Sequence, residues 1–160
     1  MVSGGLNPAG GFYARLAAHV TNYRQLTTAL ESPGTRKGPP LYSGGALVAF
    51  LWDTKIREAT HGQRGVGDLL RALLDNTGNR PRPYAWSDIQ AALECVAPGD
   101  WAEFHRRYPH GTEPLPLTEA LTRVGLHMAE GDGGTVRIEP DPSAAESAQA
   151  LRRAFIDASS

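Results

Sequence analysis

The sequence has little of three features that would assign a chain to a class at once. It contains one cysteine, Cys95, so no disulfide forms within the chain. No apolar run approaches the roughly 20 residues that a membrane-spanning helix needs. The formal net charge is −1 and no cluster of basic residues stands out. We therefore expect neither a disulfide scaffold nor a membrane protein, and we do not expect nucleic acid as a partner.

The 160 residues are otherwise typical of a single domain that buries a core of its own. Hydrophobic residues make up 41% of the chain and charged residues 21%, proportions that indicate a folded, soluble protein. The single cysteine is expected to be a small buried residue rather than a nucleophile. The first residues, 1–5, lack the charged and apolar segments of a secretory signal. The sequence is thus compatible with a cytoplasmic location, although the compartment stays open.

The chain is organised around the stretch from Leu41 to His61. Residues 46–52 are apolar at every position, which is typical of a helix enclosed by other elements. We expect a turn of small residues, 43–45, just before this helix. Gly62 is expected to end it in the left-handed conformation that follows many helices. Residues 47–56 are therefore predicted to form the central helix of the fold.

Other segments show the spacing and the start signals of shorter elements. Apolar residues at three- and four-residue steps and helix-start residues predict further helices at about 10–30, 66–77, from 87, from 100, at 117–124 and from 141. Ser87 with Gln90 is expected to form a capping box, and Asp141-Pro142 to open the last helix. Two short strands, 126–128 and 135–138, flank a glycine-rich turn, 131–134, which is interpreted as a hairpin rather than a phosphate-binding loop.

These elements predict a mainly α fold, with a helical bundle-like subdomain around the central apolar helix and a small C-terminal β-hairpin. The helical subdomain is expected over 1–125, and the hairpin with the last helix over 126–160. Asp53 and Arg57 lie four residues apart on one helix face, so we expect a structural ion pair rather than a charged site. Arg106 and Arg107 are interpreted as solvated helix residues.

Four groups of residues also follow one another in a specific order. They are Tyr42 with Gly45–Ala49, Asp53, Ile56 and Arg57; then Val66–Arg71; then Phe104–Tyr108; and finally Gly111–Leu117 with Leu121, Gly125 and Leu126. Together they resemble the glycyl aminopeptidase family of thermolysin-like zinc metallopeptidases. The resemblance extends over roughly 12–128 and covers only the C-terminal, helical part of that family's catalytic domain.

The resemblance implies a zinc ion held elsewhere, in a parent enzyme. The family's zinc motif, H-E-x-x-H with a further glutamate downstream, is absent from this sequence. Its five histidines are His19, His61, His105, His110 and His127, and no two of them are four residues apart. We therefore expect no metal ligand and no cofactor in this chain. A peptide substrate is expected only where the chain is joined to a zinc-bearing half.

Tyr42 is the one candidate catalytic residue. In the family that the chain resembles, a tyrosine just before the Gly-Ala start of this helix points into the cleft. The resemblance implies that the Tyr42 hydroxyl helps to hold the oxyanion of a tetrahedral intermediate. The alternative is a turn tyrosine whose ring packs on the central helix. Gly44 stands where the family often has lysine, so no role of that lysine carries over.

Two functions remain in view. The first is the C-terminal helical portion of a zinc aminopeptidase-like metallopeptidase, which lines the substrate cleft but is inactive alone. The second is a non-catalytic helical module that binds a partner protein. If a zinc-bearing half covers one face of the central helix, the isolated chain leaves apolar surface open, so we also predict a homo-oligomer.

Overall fold

The computed structural model describes residues 8–29, 39–78 and 83–157, with side chains described over 10–24, 43–78 and 83–157. This part of the chain is mainly helical, as predicted, with a two-stranded antiparallel sheet near the C-terminus. The elements are α1 (Pro8–Ala29), α2 (Pro39–Ala59), α3 (Val66–Thr77), α4 (Trp86–Val96), α5 (Trp101–Arg107), α6 (Leu117–Arg123), β1 (Leu126–Glu130), β2 (Val136–Pro140) and α7 (Glu146–Asp157). Among these helices, none has both the length and the hydrophobicity of a membrane crossing.

The chain divides into two compact units. The described residues of the first unit are 8–29, 39–47 and 117–157, and those of the second are 48–78 and 83–116. This division differs from the predicted one, which separated 126–160 from the rest. The reason is that the hairpin and α7 pack on α1 and α6, which precede them in the sequence.

The first unit is built from α1, the start of α2, α6, the hairpin and α7. The strands pair with Met128 opposite Ile138. Val136 and Ile138 turn their side chains inward, so α1 packs along β2. A 3-10 turn over 132–134 joins the strands, and its glycines at 133 and 134 take positive φ angles, which confirms the predicted hairpin.

The second unit has its own hydrophobic core. Eight buried residues form it: Ile56, Leu69, Leu73, Ala92, Leu93, Val96, Ala97 and Trp101. They come from α2, α3, α4, α5 and the residue after α4, and α3 packs directly against α4. Helices α3 and α4 each contribute one apolar stripe, which is how short amphipathic helices are stabilised.

The burial predicted for the central helix is confirmed. None of the side chains at 46–57 is exposed, and Leu47 and Ile56 have 0% exposure. Its predicted start was wrong, because α2 begins at Pro39 and the small residues 43–45 are helical. Proline suits a first helical turn because the N–H that it lacks has no partner there. Gly62 takes φ +79°, as expected.

Two other predicted helix starts were also wrong. In α4 the Asp88 carboxylate accepts the Ala85 N–H at 2.7 Å, so the helix starts at Trp86 without the expected Ser87 capping box. At the C-terminus, Asp141 accepts from the N–H and the hydroxyl of Ser143. These bonds close a turn, so α7 begins only at Glu146.

Cys95 is exposed, which corrects the expectation that it is buried. The buried face of α4 is formed by Ala92, Leu93 and Val96, and position 95 falls outside that face. Helix periodicity therefore outweighed the usual preference of a free cysteine for the interior.

Candidate functional site

Tyr42 lies in the first turn of α2 rather than in a turn before the helix. Its side chain lies outside the part of the chain that is described in full. The oxyanion role implied by the resemblance therefore stays a prediction. The side chain of the next residue, Ser43, is described, and its contacts attach the start of α2 to α1.

Ser43 anchors the start of α2 to α1. Its side chain is 2% exposed. Asn22 Nδ2 donates to Ser43 Oγ at 3.3 Å, and His19 Nδ1 lies 3.1 Å from the same oxygen. His19 and Asn22 are three residues apart on α1, so they share one helix face. No local sequence pattern indicates this cluster, because Ser43 lies more than 20 residues from both His19 and Asn22.

A serine beside a histidine also occurs in enzymes that use an activated hydroxyl. Such a nucleophile must meet its substrate, whereas Ser43 is almost completely buried. Within the side chains described, no carboxylate bonds to His19 to orient it as a base. The cluster is therefore a structural anchor next to Tyr42.

The predicted ion pair of Asp53 and Arg57 is confirmed, and it is buried. Arg57 Nε donates to Asp53 Oδ2 at 2.6 Å, while Asp53 Oδ1 accepts the N–H of Val66, the first residue of α3, at 2.7 Å. A buried ion pair needs such additional bonds because both charges have lost water. The pair thus ties the second half of α2 to the beginning of α3.

Gly65 makes room for this pair. A methyl group at Gly65 would lie 2.5 Å from Arg57 Nη2 and 2.6 Å from Asp53 Oδ1. The Gly65 N–H in turn donates to the Asp68 carboxylate at 3.0 Å, which caps α3. Position 65 therefore requires glycine because the side chains of Asp53 and Arg57 approach its Cα closely, and not because its φ angle is positive.

A second link follows α5. Arg107 Nη2 and Nε both donate to the Glu113 carboxylate, at 2.7 and 3.0 Å. A methyl group at Gly111 would collide with the main-chain carbonyls of Arg106 and Arg107. Arg106 and Arg107 are exposed, as predicted, so this link shapes a surface loop rather than the core.

His105 is the most unusual polar residue of the second unit. Its ring is 2% exposed, and Trp52 Nε1–H donates to His105 Nε2 at 3.0 Å. Because Nε2 accepts, the neutral ring carries its hydrogen on Nδ1. Among the described side chains, Nδ1 is the only buried nitrogen or oxygen without a hydrogen-bond partner. The Trp86 ring lies 4.3 Å from the His105 ring, centre to centre.

These surroundings keep His105 neutral. Burial of the ring, and to a lesser degree the charge of His110, lowers the pKa of His105 to about 4. The nitrogen that bonds to Trp52 is therefore an acceptor throughout the neutral pH range. No sequence pattern had indicated this pair, which joins residues 53 positions apart.

The described residues do not fit a zinc site. No three side chains of histidine, cysteine, aspartate or glutamate in these ranges converge on one point. His105 and His110 both lie against Trp86, but two histidines do not complete the four ligands of a structural zinc or the three of a catalytic one.

The first unit contains an open groove between α1 and β2, with a volume of about 690 Å³. The α1 side is lined by Gly10, Tyr13, Ala14, Ala17, Ala18, Thr21 and Asn22, and the other side by residues 135–140. No sequence pattern indicates this groove, because it depends on how α1 lies along the hairpin.

Comparisons of the chain with protein-family models, with curated proteins and with solved structures found no match. The resemblance to glycyl aminopeptidases thus rests on the residues of this sequence, and it stays a prediction.

Proposed function

We propose that this chain is the C-terminal helical part of a zinc aminopeptidase-like metallopeptidase. In this role it lines a substrate cleft, supplies Tyr42 and provides no zinc ligand. The order of the motifs in the sequence is the basis of this proposal. A contact between two of these motifs in the structure supports it further.

This contact joins the motif of Asp53 and Arg57 to the motif that begins at Val66. Asp53 receives the Val66 N–H, and Asp68 of the second motif caps the same turn through Gly65. Residues of two motifs that carry the resemblance are thus joined by hydrogen bonds at the start of α3. This contact supports the proposal because residues of both motifs take part in it.

In the proposed enzyme, Tyr42 donates its hydroxyl proton in a hydrogen bond to the carbonyl oxygen of the substrate. Negative charge develops on that oxygen when water adds to the peptide carbonyl. A donor aimed at this position stabilises the transition state more than the bound substrate. Ser43 supports the role by fixing the adjacent turn of α2 against His19 and Asn22.

The test uses the native gene product that contains this chain. Its reading frame should encode an H-E-x-x-H segment upstream of these residues. In that enzyme, Tyr42→Phe should lower kcat by about 10²–10³-fold, the usual effect of losing one oxyanion donor. The melting temperature should stay nearly unchanged, because the ring is retained.

Tyr84→Phe is the matched control, since Tyr84 is 48% exposed and lies outside the motifs. This change should leave kcat at the wild-type value. Near-normal turnover of the Tyr42→Phe enzyme would reduce Tyr42 to a packing residue. A reading frame without the zinc motif would refute the proposal as a whole.

The groove between α1 and β2 favours a second candidate, a non-catalytic helical module that binds a protein partner. Such a module needs no zinc-bearing half. Detection of the native protein by immunoblot separates the candidates, because the first requires a polypeptide much larger than this chain and the second does not.

A further inference from the structure

Helix α3 carries apolar side chains on two sides. Leu69 and Leu73 lie in the core of the second unit, whereas Leu70 and Leu74 are each 56% exposed. These two exposed leucines are four residues apart, so they lie side by side on one helix face. Single exposed apolar residues are common, but two on successive turns form an apolar patch of the kind that marks interaction sites. The outer side of α3 is therefore a candidate interface.

Gly67 extends this face by one turn towards the start of the helix. It lies three residues before Leu70 and is exposed. Glycine is the weakest helix former apart from proline, and a methyl group at position 67 would meet no atom within 4 Å. Packing within the described part of the chain therefore does not require a glycine here. A glycine does allow the close approach of another backbone.

Two charges line one edge of the face. Arg71 bonds to Asp68 at 3.0 Å, and its side chain is still 73% exposed. Asp75 is exposed, and no basic side chain among the described residues pairs with it. It stands in the last turn of α3, which holds no basic residue, although the helix dipole favours cations at that end. A cation supplied from outside this helix would therefore be favourable beside Asp75.

The face is complementary to itself. When two copies of α3 pack antiparallel about a two-fold axis at the middle of the helix, Leu70 lies beside Leu74 of the second copy. Antiparallel packing also brings equal edges together, so Arg71 lies beside Asp75 of the second copy. The symmetry makes each of these contacts twice. Gly67 then lies opposite the last turn of the other α3, where the missing side chain lets the two helices approach.

We propose that the chain forms a two-fold symmetric homodimer through the face of α3 that contains Gly67, Leu70 and Leu74. The interface is small, because a helix of 12 residues is only about 18 Å long. Stable interfaces usually bury about 1,200 Å² or more, so this dimer is weak and dissociates on dilution. The proposal assigns the predicted homo-oligomer to α3 rather than to the central helix. It does not rest on the metallopeptidase proposal.

Sedimentation velocity of the full chain measures the association, from about 1 µM to about 500 µM, the range in which weak complexes form. The average mass should rise from 17.2 kDa towards twice that value. Leu74→Glu places a charge in the apolar patch and should remain a monomer throughout. Ala91→Glu introduces the same charge at an exposed position of α4, and it should associate like the wild type.

Two charge variants test the antiparallel arrangement. Arg71→Asp makes the edge of the face acidic, and Asp75→Arg makes it basic. Each variant alone should dimerise only at a roughly tenfold higher concentration, because two exposed ion pairs are replaced by repulsion. An equimolar mixture should associate like the wild type, because an acidic edge then faces a basic one.

Gly67→Gln tests the close approach of the helices. The longer side chain should weaken dimerisation. The melting temperature at about 1 µM, where the monomer predominates, should not fall, because glutamine forms helices better than glycine. This second measurement separates a lost interface from a damaged fold.

The proposal is overturned if the wild-type chain stays monomeric over the whole concentration range, since the face of α3 would then have another occupant or none. A dimer that persists in Leu74→Glu would place the interface elsewhere. If the mixture of the two charge variants associates no better than either variant alone, the antiparallel pairing is wrong.

Discussion

His105 shows how one side chain can set the pH response of a protein. Its Nε2 accepts from Trp52, and its Nδ1 is buried without a hydrogen-bond partner. A second proton on the ring would remove the acceptor and place a charge in a buried site. The folded state therefore resists protonation at this residue.

We predict that the free energy of unfolding falls as the pH decreases from about 6.5 towards about 4. Above this window the His105 ring is neutral in both states. Within it the unfolded chain takes up a proton at its ordinary pKa of 6.5, while the folded chain does not. The unfolded state therefore gains stability, by up to about 3 kcal/mol for a shift of this size.

Urea unfolding at a series of pH values measures this effect. His105→Gln keeps an acceptor for Trp52 but does not titrate, so its slope between pH 6.5 and 5 should be much smaller. His110→Gln, at an exposed position, is the control and should retain most of the slope. Equal slopes for His105→Gln and wild type would contradict the assignment.

Among the elements, α2 is the one on which both units depend, because it contributes buried residues to each. Leu47 belongs to the first unit, while Phe50, Leu51 and Ile56 belong to the second. The helix also contains the buried pair of Asp53 and Arg57. Its stability should therefore be sensitive to truncation of a single apolar side chain.

Leu51→Ala is expected to lower the free energy of unfolding by roughly 2–5 kcal/mol, the range for truncating a buried leucine. Leu51 is 2% exposed. The matched control is Leu70→Ala in α3, because that leucine is 56% exposed and the same atoms are removed. The Leu70→Ala change should lower the free energy of unfolding by less than about 1 kcal/mol. A denaturant midpoint that moves equally in both variants would show that Leu51 is not part of the core.

At the scale of the whole molecule, the prediction concerns zinc binding and peptidase activity of the isolated chain. We predict that the isolated chain holds no stoichiometric zinc and cleaves no aminoacyl substrate. The sequence lacks the zinc motif, and in the described residues the side chains that bind zinc do not converge. The His105 nitrogen closest to Trp52 is already engaged in a hydrogen bond.

Metal analysis of the purified chain after dialysis provides the measurement, with a fluorogenic aminopeptidase assay beside it. About one tightly held zinc per chain, lost in the His105→Gln or His110→Gln variant, would show the prediction to be wrong. The same chain treated with a chelator serves as the blank.

Several features followed from the sequence because they depend on residues that are close together in the chain. The bounds of α3 agree with the apolar spacing of 66–77, and the glycine-rich turn 131–134 between two short apolar segments indicated the hairpin. The pair of Asp53 and Arg57 follows from a spacing of four residues in a helix. In each case local geometry alone brings the groups together.

Only the tertiary structure decided the rest. Ser43 lies within hydrogen-bond distance of His19, Trp52 donates to His105, and β2 packs against α1. These partners are far apart in the sequence, so helix periodicity does not predict them. The exposure of Cys95 likewise depends on which face of α4 the core covers. The sequence by itself determined which segments form helices and strands, although not where α2, α4 and α7 begin, because helix and strand formation depends mainly on neighbouring residues. Packing determined which side chains are buried together, and so where the groove and the neutral histidine lie.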